Sequence, residues 1–124
     1  MKFKGTYSPE WPEISRLVKE AADWKCVRCG HPHDSQSGYV LTVHHFDGDK
    51  TNNAWWNLAA LCQRCHLTIQ AKVKIEQIYM LPHSNWFKPY VAGYYAFLMG
   101  RPTSKEYVIP RCDELIAAYL ERSV

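Results

Sequence analysis

The span from His44 to His66, HHFDGDKTNNAWWNLAALCQRCH, brings three histidines, Asn57 and two cysteines into one short stretch with turn residues at its middle. Cys62-x-x-Cys65 at its end has a counterpart upstream in Cys26-x-x-Cys29. A Cys-x-x-Cys spacing is too short for an ordinary structural disulfide but suits two ligands of one tetrahedral zinc. Two metal sites of different chemistry follow. Four thiolates fill every position of a closed, structural zinc site, and His44, His45 and His66 supply imidazoles for a second, catalytic one. His31 and His33 lie beside the first knuckle and could replace a cysteine as ligand, although Cys62 and Cys65 already complete a set of four.

These side chains need elements to carry them. Tyr39 to His45 is rich in β-branched and aromatic residues and is bounded by Gly38 and Asp47-Gly48, which predicts a strand. Successive strand residues point to opposite faces, so His44 and His45 leave it in different directions and can serve different roles. Asp47 to Asn53 reads as a turn-rich loop; its aspartates could ligate metal, but Asp and Asn beside Gly more often hold turns. Trp55 to Leu61 predicts an antiparallel return strand and Cys62 to Cys65 a second knuckle. From about His66 a helix follows, with Leu67, Ile69, Ala71, Val73, Ile75 and Ile78 among its apolar positions, to Leu81-Pro82.

Around this ββα unit the pattern stays globular. Ser8-Pro9-Glu10 offers a helix start, with Ser8 as a candidate cap, and Ile14, Leu17, Val18, Ala21 and Ala22 form one buried stripe over about 11–23. Gly30 can take the positive φ of a zinc knuckle. Pro89 to Met99, closed by Gly100, and Pro110 to Glu121, with Leu115, Ile116, Tyr119 and Leu120 on one stripe, predict two further helices. They serve as a packing layer, a dimer surface or a substrate-reading surface. Cys112, left over from the two pairs, reads as a small buried hydrophobe.

The 124 residues are near the size where a metal staple adds usefully to a marginal core, and five Trp, eight Tyr and four Phe give that core bulky anchors. A net charge of +3 is compatible with a polyanionic partner without demanding one. No apolar run approaches the roughly 18 residues of a membrane span, and MKFKGTYSPE lacks the apolar core of a signal peptide, so a cytoplasmic protein is expected.

His44-His45, Asn57-Leu58 and Cys65-His66, in this order inside the frame of two zinc knuckles, resemble the HNH endonuclease family, also called His-Me finger or ββα-metal nucleases. The resemblance covers roughly Cys26 to Ile78. It implies an α+β fold with a small zinc-stapled, treble-clef-like ββα-metal core at about 24–80; the N-terminal helix at about 11–23 and the C-terminal helical extension at about 86–122 lie outside the resemblance and, read from their own apolar patterns, complete a single domain of 1–124. Carried over by position, His45 is the general base, Asn57 braces the loop, and His44 and His66 hold one catalytic divalent cation, Mg²⁺ or Mn²⁺. The implied reaction is hydrolysis of DNA phosphodiesters to a 5′ phosphate and a 3′ hydroxyl.

A neutral imidazole with a reference pKa near 6.5 can take a proton from water at neutral pH, and a divalent cation can offset charge growing on the phosphorane and the departing 3′ oxygen. Lys50, Arg64, Lys72 and Lys74 are candidate phosphate contacts. The expected partner is double-stranded DNA, with a homodimer or a larger DNA-processing complex open, in phage DNA processing or bacterial defence. Competing readings are a zinc-ribbon module that binds nucleic acid or protein without catalysis, and a nuclease subunit active only in a larger complex.

Overall fold

A computed structural model describes residues 7–70 and 85–122. The chain divides into two compact units, Met1–Lys74 and Ile75–Val124. The fold class is α+β, with a two-stranded antiparallel sheet, helices and a cysteine cluster, as a small metal-stapled ββα core requires.

In the first unit, α1 (Trp11–Ala21) packs against both strands. It stops two residues short of the expected end. Asp23 and Trp24 take left-handed φ of 56° and 54°, and their N–H groups return to the carbonyls of Glu20 and Lys19 at 2.9 Å each. This is a Schellman closure with Asp where Gly is usual, so no glycine marked it. Ser8 does not cap the helix. Its hydroxyl accepts a hydrogen bond from Asn53 Nδ2 at 2.9 Å instead. The predicted stripe is only half sunk: Leu17 is exposed and Ile14 and Val18 are intermediate. On the solvent side Arg16 pairs with Glu13 and Glu20.

Strand β1 (Leu41–His45) pairs antiparallel with β2 (Leu58–Cys62), His44 opposite Ala59 and His45 opposite Leu58. The return strand begins later than expected, because Trp55–Asn57 form a 3-10 turn closed by Asn57 N–H on the Ala54 carbonyl at 2.9 Å. Helix α2 (Gln63–Gln70) starts earlier than expected, so that Cys65 and His66 both sit in it. Turning into helix directly after Cys62 is what brings the Cys65 sulfur back toward its partner. The remainder of the predicted helix, including Ala71, Val73, Ile75 and Ile78, lies outside the described residues. Leu41, Phe46, Trp56, Leu58, Leu61 and Ile69 form the apolar core of this unit.

The second unit holds α3 (Lys88–Leu98), α4 (Lys105–Val108), a 3-10 turn (Ile109–Arg111) and α5 (Cys112–Arg122). Phe87, Val91, Val108 and Leu115 are completely buried, and Tyr95 stacks on Tyr119 at 4.0 Å, so α3 and α5 share an apolar seam. Gly100, with φ +72°, closes α3 as expected, and the Arg101 N–H reaches the Ala96 carbonyl at 2.9 Å. The last helix is broken where one was predicted from Pro110: Ser104 caps α4, and the chain turns again before Cys112. Leu115 and Ile116 are buried as the stripe requires, but Leu120 is exposed. Cys112 is half-buried, its thiol donating to the carbonyls of Val108 and Ile109. Among the described residues no helix is long and apolar enough to cross a membrane.

Candidate functional site

The first knuckle is a tight hairpin. Gly30, with φ +79°, donates to the Cys26 carbonyl at 2.8 Å, Cys26 N–H reaches the His31 carbonyl at 3.0 Å, and Val27 N–H ties the turn to Ala60 of β2 at 3.0 Å. The second knuckle is the junction of β2 and α2. Between them the sulfurs of Cys26, Cys29, Cys62 and Cys65 all lie within 4.8 Å of one another. Cys29 and Cys62 are 3.8 Å apart, about the edge of a tetrahedron with metal–sulfur bonds of roughly 2.3 Å.

The electrostatics of Cys26, Cys29 and Cys65 also suit a cation. Burial opposes ionisation of Cys26, but backbone N–H groups of Cys29, Cys62 and Arg28 outweigh it and bring the thiol down to about 7. Cys65 goes the other way, up to about 12, through burial and the neighbouring sulfurs, although Arg28 Nη1 donates to it at 3.4 Å. Cys26 is set to ionise, whereas Cys29 and Cys65, both raised by burial, give up their protons more readily to a metal ion. His31 and His33 are engaged elsewhere. His31 stacks on Tyr39 at 3.5 Å, and His33 Nδ1 accepts the Leu41 N–H at 3.0 Å.

The histidines of the second constellation leave β1 on its two faces. His44 is buried against Phe46, and its ring centroid lies 5.0 Å from that of His66 on α2. His44 Nε2 is buried without a hydrogen-bond partner. A buried polar atom left in that state costs about 1–3 kcal/mol unless something binds it. Burial, followed by the proximity of His66 and His45, lowers the His44 pKa to about 4, and burial lowers that of His66. Both are therefore neutral near pH 7, the form that ligates metal. Thr42 Oγ1 donates to the Leu61 carbonyl at 2.9 Å and lies 3.3 Å from His66 Nδ1. Its one proton is committed, so the hydroxyl accepts from Nδ1 and leaves the Nε2 lone pair for an ion. Thr42 is a residue that sequence reasoning missed; its place two positions before His44, on the same strand face, was the available signal.

His45 faces α1. Its ring lies 4.7 Å from that of Trp11 and 5.9 Å from Tyr7, and Nε2 is 3.2 Å from Asn53 Oδ1. Burial is the largest influence on its pKa, which is lowered despite the Asn53 contact and the negative charges of Asp47 and Asp49; Lys50 adds to the lowering.

Asn57, completely buried, holds the intervening loop. Its Oδ1 accepts the Asp47 N–H at 3.0 Å, and Nδ2 donates to Asp47 Oδ1 and the Asn52 carbonyl, both at 2.9 Å. Asp47 also accepts from Asp49 N–H and Asn52 Nδ2, and Asp49 accepts from Thr51, so both carboxylates hold turns. Asn57→Ala removes three hydrogen bonds and strands their partners. A loss of about 2–4 kcal/mol in urea denaturation is expected, and a change below about 1 kcal/mol, the net worth of one ordinary hydrogen bond, would show that the loop stands without it.

Of the four basic candidates, Lys50 Nζ sits 4.5 Å over the Tyr7 ring, on the His45 side, and Arg64 lies 4.8 Å over Tyr39 beside the first knuckle. Lys72 and Lys74 lie outside the described residues.

Residues 26–72 match the family model described as HNH endonuclease. Over 65 residues, 52% of this chain, the sequence is 37% identical to the Zorya protein ZorE of Escherichia coli (strain Crooks). The matched segment spans 17% of that relative's length. No solved structure matches the chain.

Proposed function

We propose, from the match of residues 26–72 to the HNH endonuclease family model, that this protein is a metal-dependent endonuclease hydrolysing DNA phosphodiester bonds. The observation that carries the proposal is the buried, unpartnered Nε2 of His44, whose ring centroid lies 5.0 Å from that of His66, with His45 presented from the opposite face of the same strand end. His44 and His66 would hold one divalent cation, Mg²⁺ or Mn²⁺, and the four cysteines a structural zinc. The cation, when bound, supplies charge stabilisation for the phosphorane and the leaving 3′ oxygen. His45 takes the proton of the attacking water; the water oxygen bonds to phosphorus, the P–O3′ bond breaks, and the products are a 5′ phosphate and a 3′ hydroxyl. Asn57 keeps the loop between the strands from drifting. Lys50 and Arg64, and Lys72 and Lys74 by sequence position, would contact phosphates of duplex DNA.

Host defence or phage DNA processing is the setting we propose.

Incubation of the purified chain with supercoiled plasmid and Mg²⁺, Mn²⁺ or EDTA tests this reading. Nicking or linearisation with either metal, abolished by EDTA, is expected; intact plasmid under every condition would overturn it. The same assay has a definite pH dependence. His45 must be neutral to act, and burial holds its pKa below 6.5, so the rate should stay level from pH 8 down to 6.5 and fall only beneath that. An acid limb centred above 6.5 would contradict a buried neutral base. Stability should move in the same direction. His44, His45 and His66 all have lowered pKa values when folded, so the unfolded chain binds more protons below 6.5. Their contribution is present above that pH and is lost as the pH falls toward the His44 value of about 4.

A further inference from the structure

His45 is held by a contact that the family roles do not require. Asn53 Oδ1 lies 3.2 Å from His45 Nε2, and Asn53 Nδ2 donates to Ser8 Oγ at 2.9 Å. The peptide just before it is fixed as well, because the Asn52 carbonyl accepts from the buried Asn57 amide at 2.9 Å. Trp11 and Tyr7, stacked on each other at 4.8 Å, hem the imidazole on the side of α1.

An amide oxygen can only accept, so in this arrangement the His45 proton sits on Nε2. The opposite nitrogen, Nδ1, then carries the lone pair. Reversing the Asn53 amide would direct its NH₂ at Nε2, occupy the lone pair there and place the ring proton on Nδ1. That ring has no basic nitrogen left to offer. We infer that Asn53 is a positioning residue for His45, holding the imidazole in its Nε2–H tautomer and leaving Nδ1 as the proton acceptor. Asn53 does this through His45 and touches neither water nor phosphate. Ser8 Oγ, 2.9 Å from Asn53 Nδ2, ties the amide to the segment preceding α1. The inference rests on the reading of His45 as general base.

Two readouts test it on the full chain. With ¹⁵N-labelled histidine at pH 8 and Mg²⁺, the His45 ring shifts should report a single tautomer protonated at Nε2. Asn53→Leu, similar in size but unable to accept, should give a mixture of tautomers. Its kcat should fall roughly 10- to 100-fold, the usual effect of removing a group that orients a functional imidazole, while KM changes little. Asn53→Asp keeps the acceptor oxygen and should restore both the tautomer and most of the rate. Thermal melts of the variants separate this from loss of fold, since a merely structural Asn53 would lower the melting temperature without moving the tautomer. An Nδ1-protonated His45 in the unmodified protein, or an Asn53→Leu protein with the original tautomer and kcat, would overturn the inference. If plasmid is never cut, the nuclease reading fails, and the ring shifts alone decide whether Asn53 sets the tautomer.

Discussion

Cys62→Ser should unfold the first unit outright. Cys62 is completely buried, Cys26 and Cys65 nearly so, and all four sulfurs converge within 4.8 Å. The apolar side chains around them come from two five-residue strands, one short helix and a half-sunk α1, a small core by the standards of an autonomous domain. Structural zinc in small domains contributes on the order of 10–16 kcal/mol, comparable with or larger than the roughly 5–15 kcal/mol net stability of an ordinary fold. Removing one ligand therefore removes more than the unit can spare. The thiols give a second reason. Burial and the neighbouring sulfurs push Cys65 up to about 12, so without a metal that thiol stays protonated among its neighbours.

Metal content by mass spectrometry and amide dispersion by NMR check this together. One zinc per chain in the unmodified protein, no zinc in Cys62→Ser and collapse of dispersion for its first unit are expected. Cys112→Ser, outside the cluster, should keep both metal and fold. A metal-free Cys62→Ser with native dispersion would show that the apolar contacts suffice.

What the sequence made legible was whatever depends on short spacing. Two Cys-x-x-Cys units, Gly30 and the strand alternation around His44 and His45 are local patterns, and the cysteine cluster, the antiparallel pair and the two faces of β1 appear where they pointed. Boundaries that depend on what lies across space were less accessible. The knuckle has α2 begin at Gln63, and the 3-10 turn of Trp55–Asn57 sets the Asn57 amide on Asp47 and the Asn52 carbonyl across the loop. Asp23 ends α1 in a conformation usually reserved for Gly. Trp11 packs on His45, and Ser8 bonds to Asn53 beside it, from more than thirty residues away, and no periodicity links residues that far apart. Within the loop the side chains of Asp47, Asp49, Thr51 and Asn52 bond inside the turns, whereas Asn53 reaches His45 and Ser8 and Lys50 lies over Tyr7.

His45→Ala should lower the rate of plasmid cleavage by about 10²–10⁴, the range that loss of a general base produces. His45 is buried among Trp11, Tyr7 and Asn53, so its removal also opens a cavity, and the fold must be checked in the same sample. The amide spectrum and zinc content should stay native, because the residue lies on the face of β1 opposite His44 and takes no part in the cysteine cluster. Exogenous imidazole provides the decisive arm. A cavity beside the reacting water can admit a free imidazole that takes the proton in place of the missing side chain, and partial recovery of the rate is expected. His44→Ala should behave differently: it removes a proposed ligand of the cation, so its defect should respond to higher Mn²⁺ and not to imidazole. A His45→Ala protein that cuts at the original rate would move the base to another group. One that is folded, inactive and deaf to imidazole, while His44→Ala recovers with it, would exchange the roles of the two histidines.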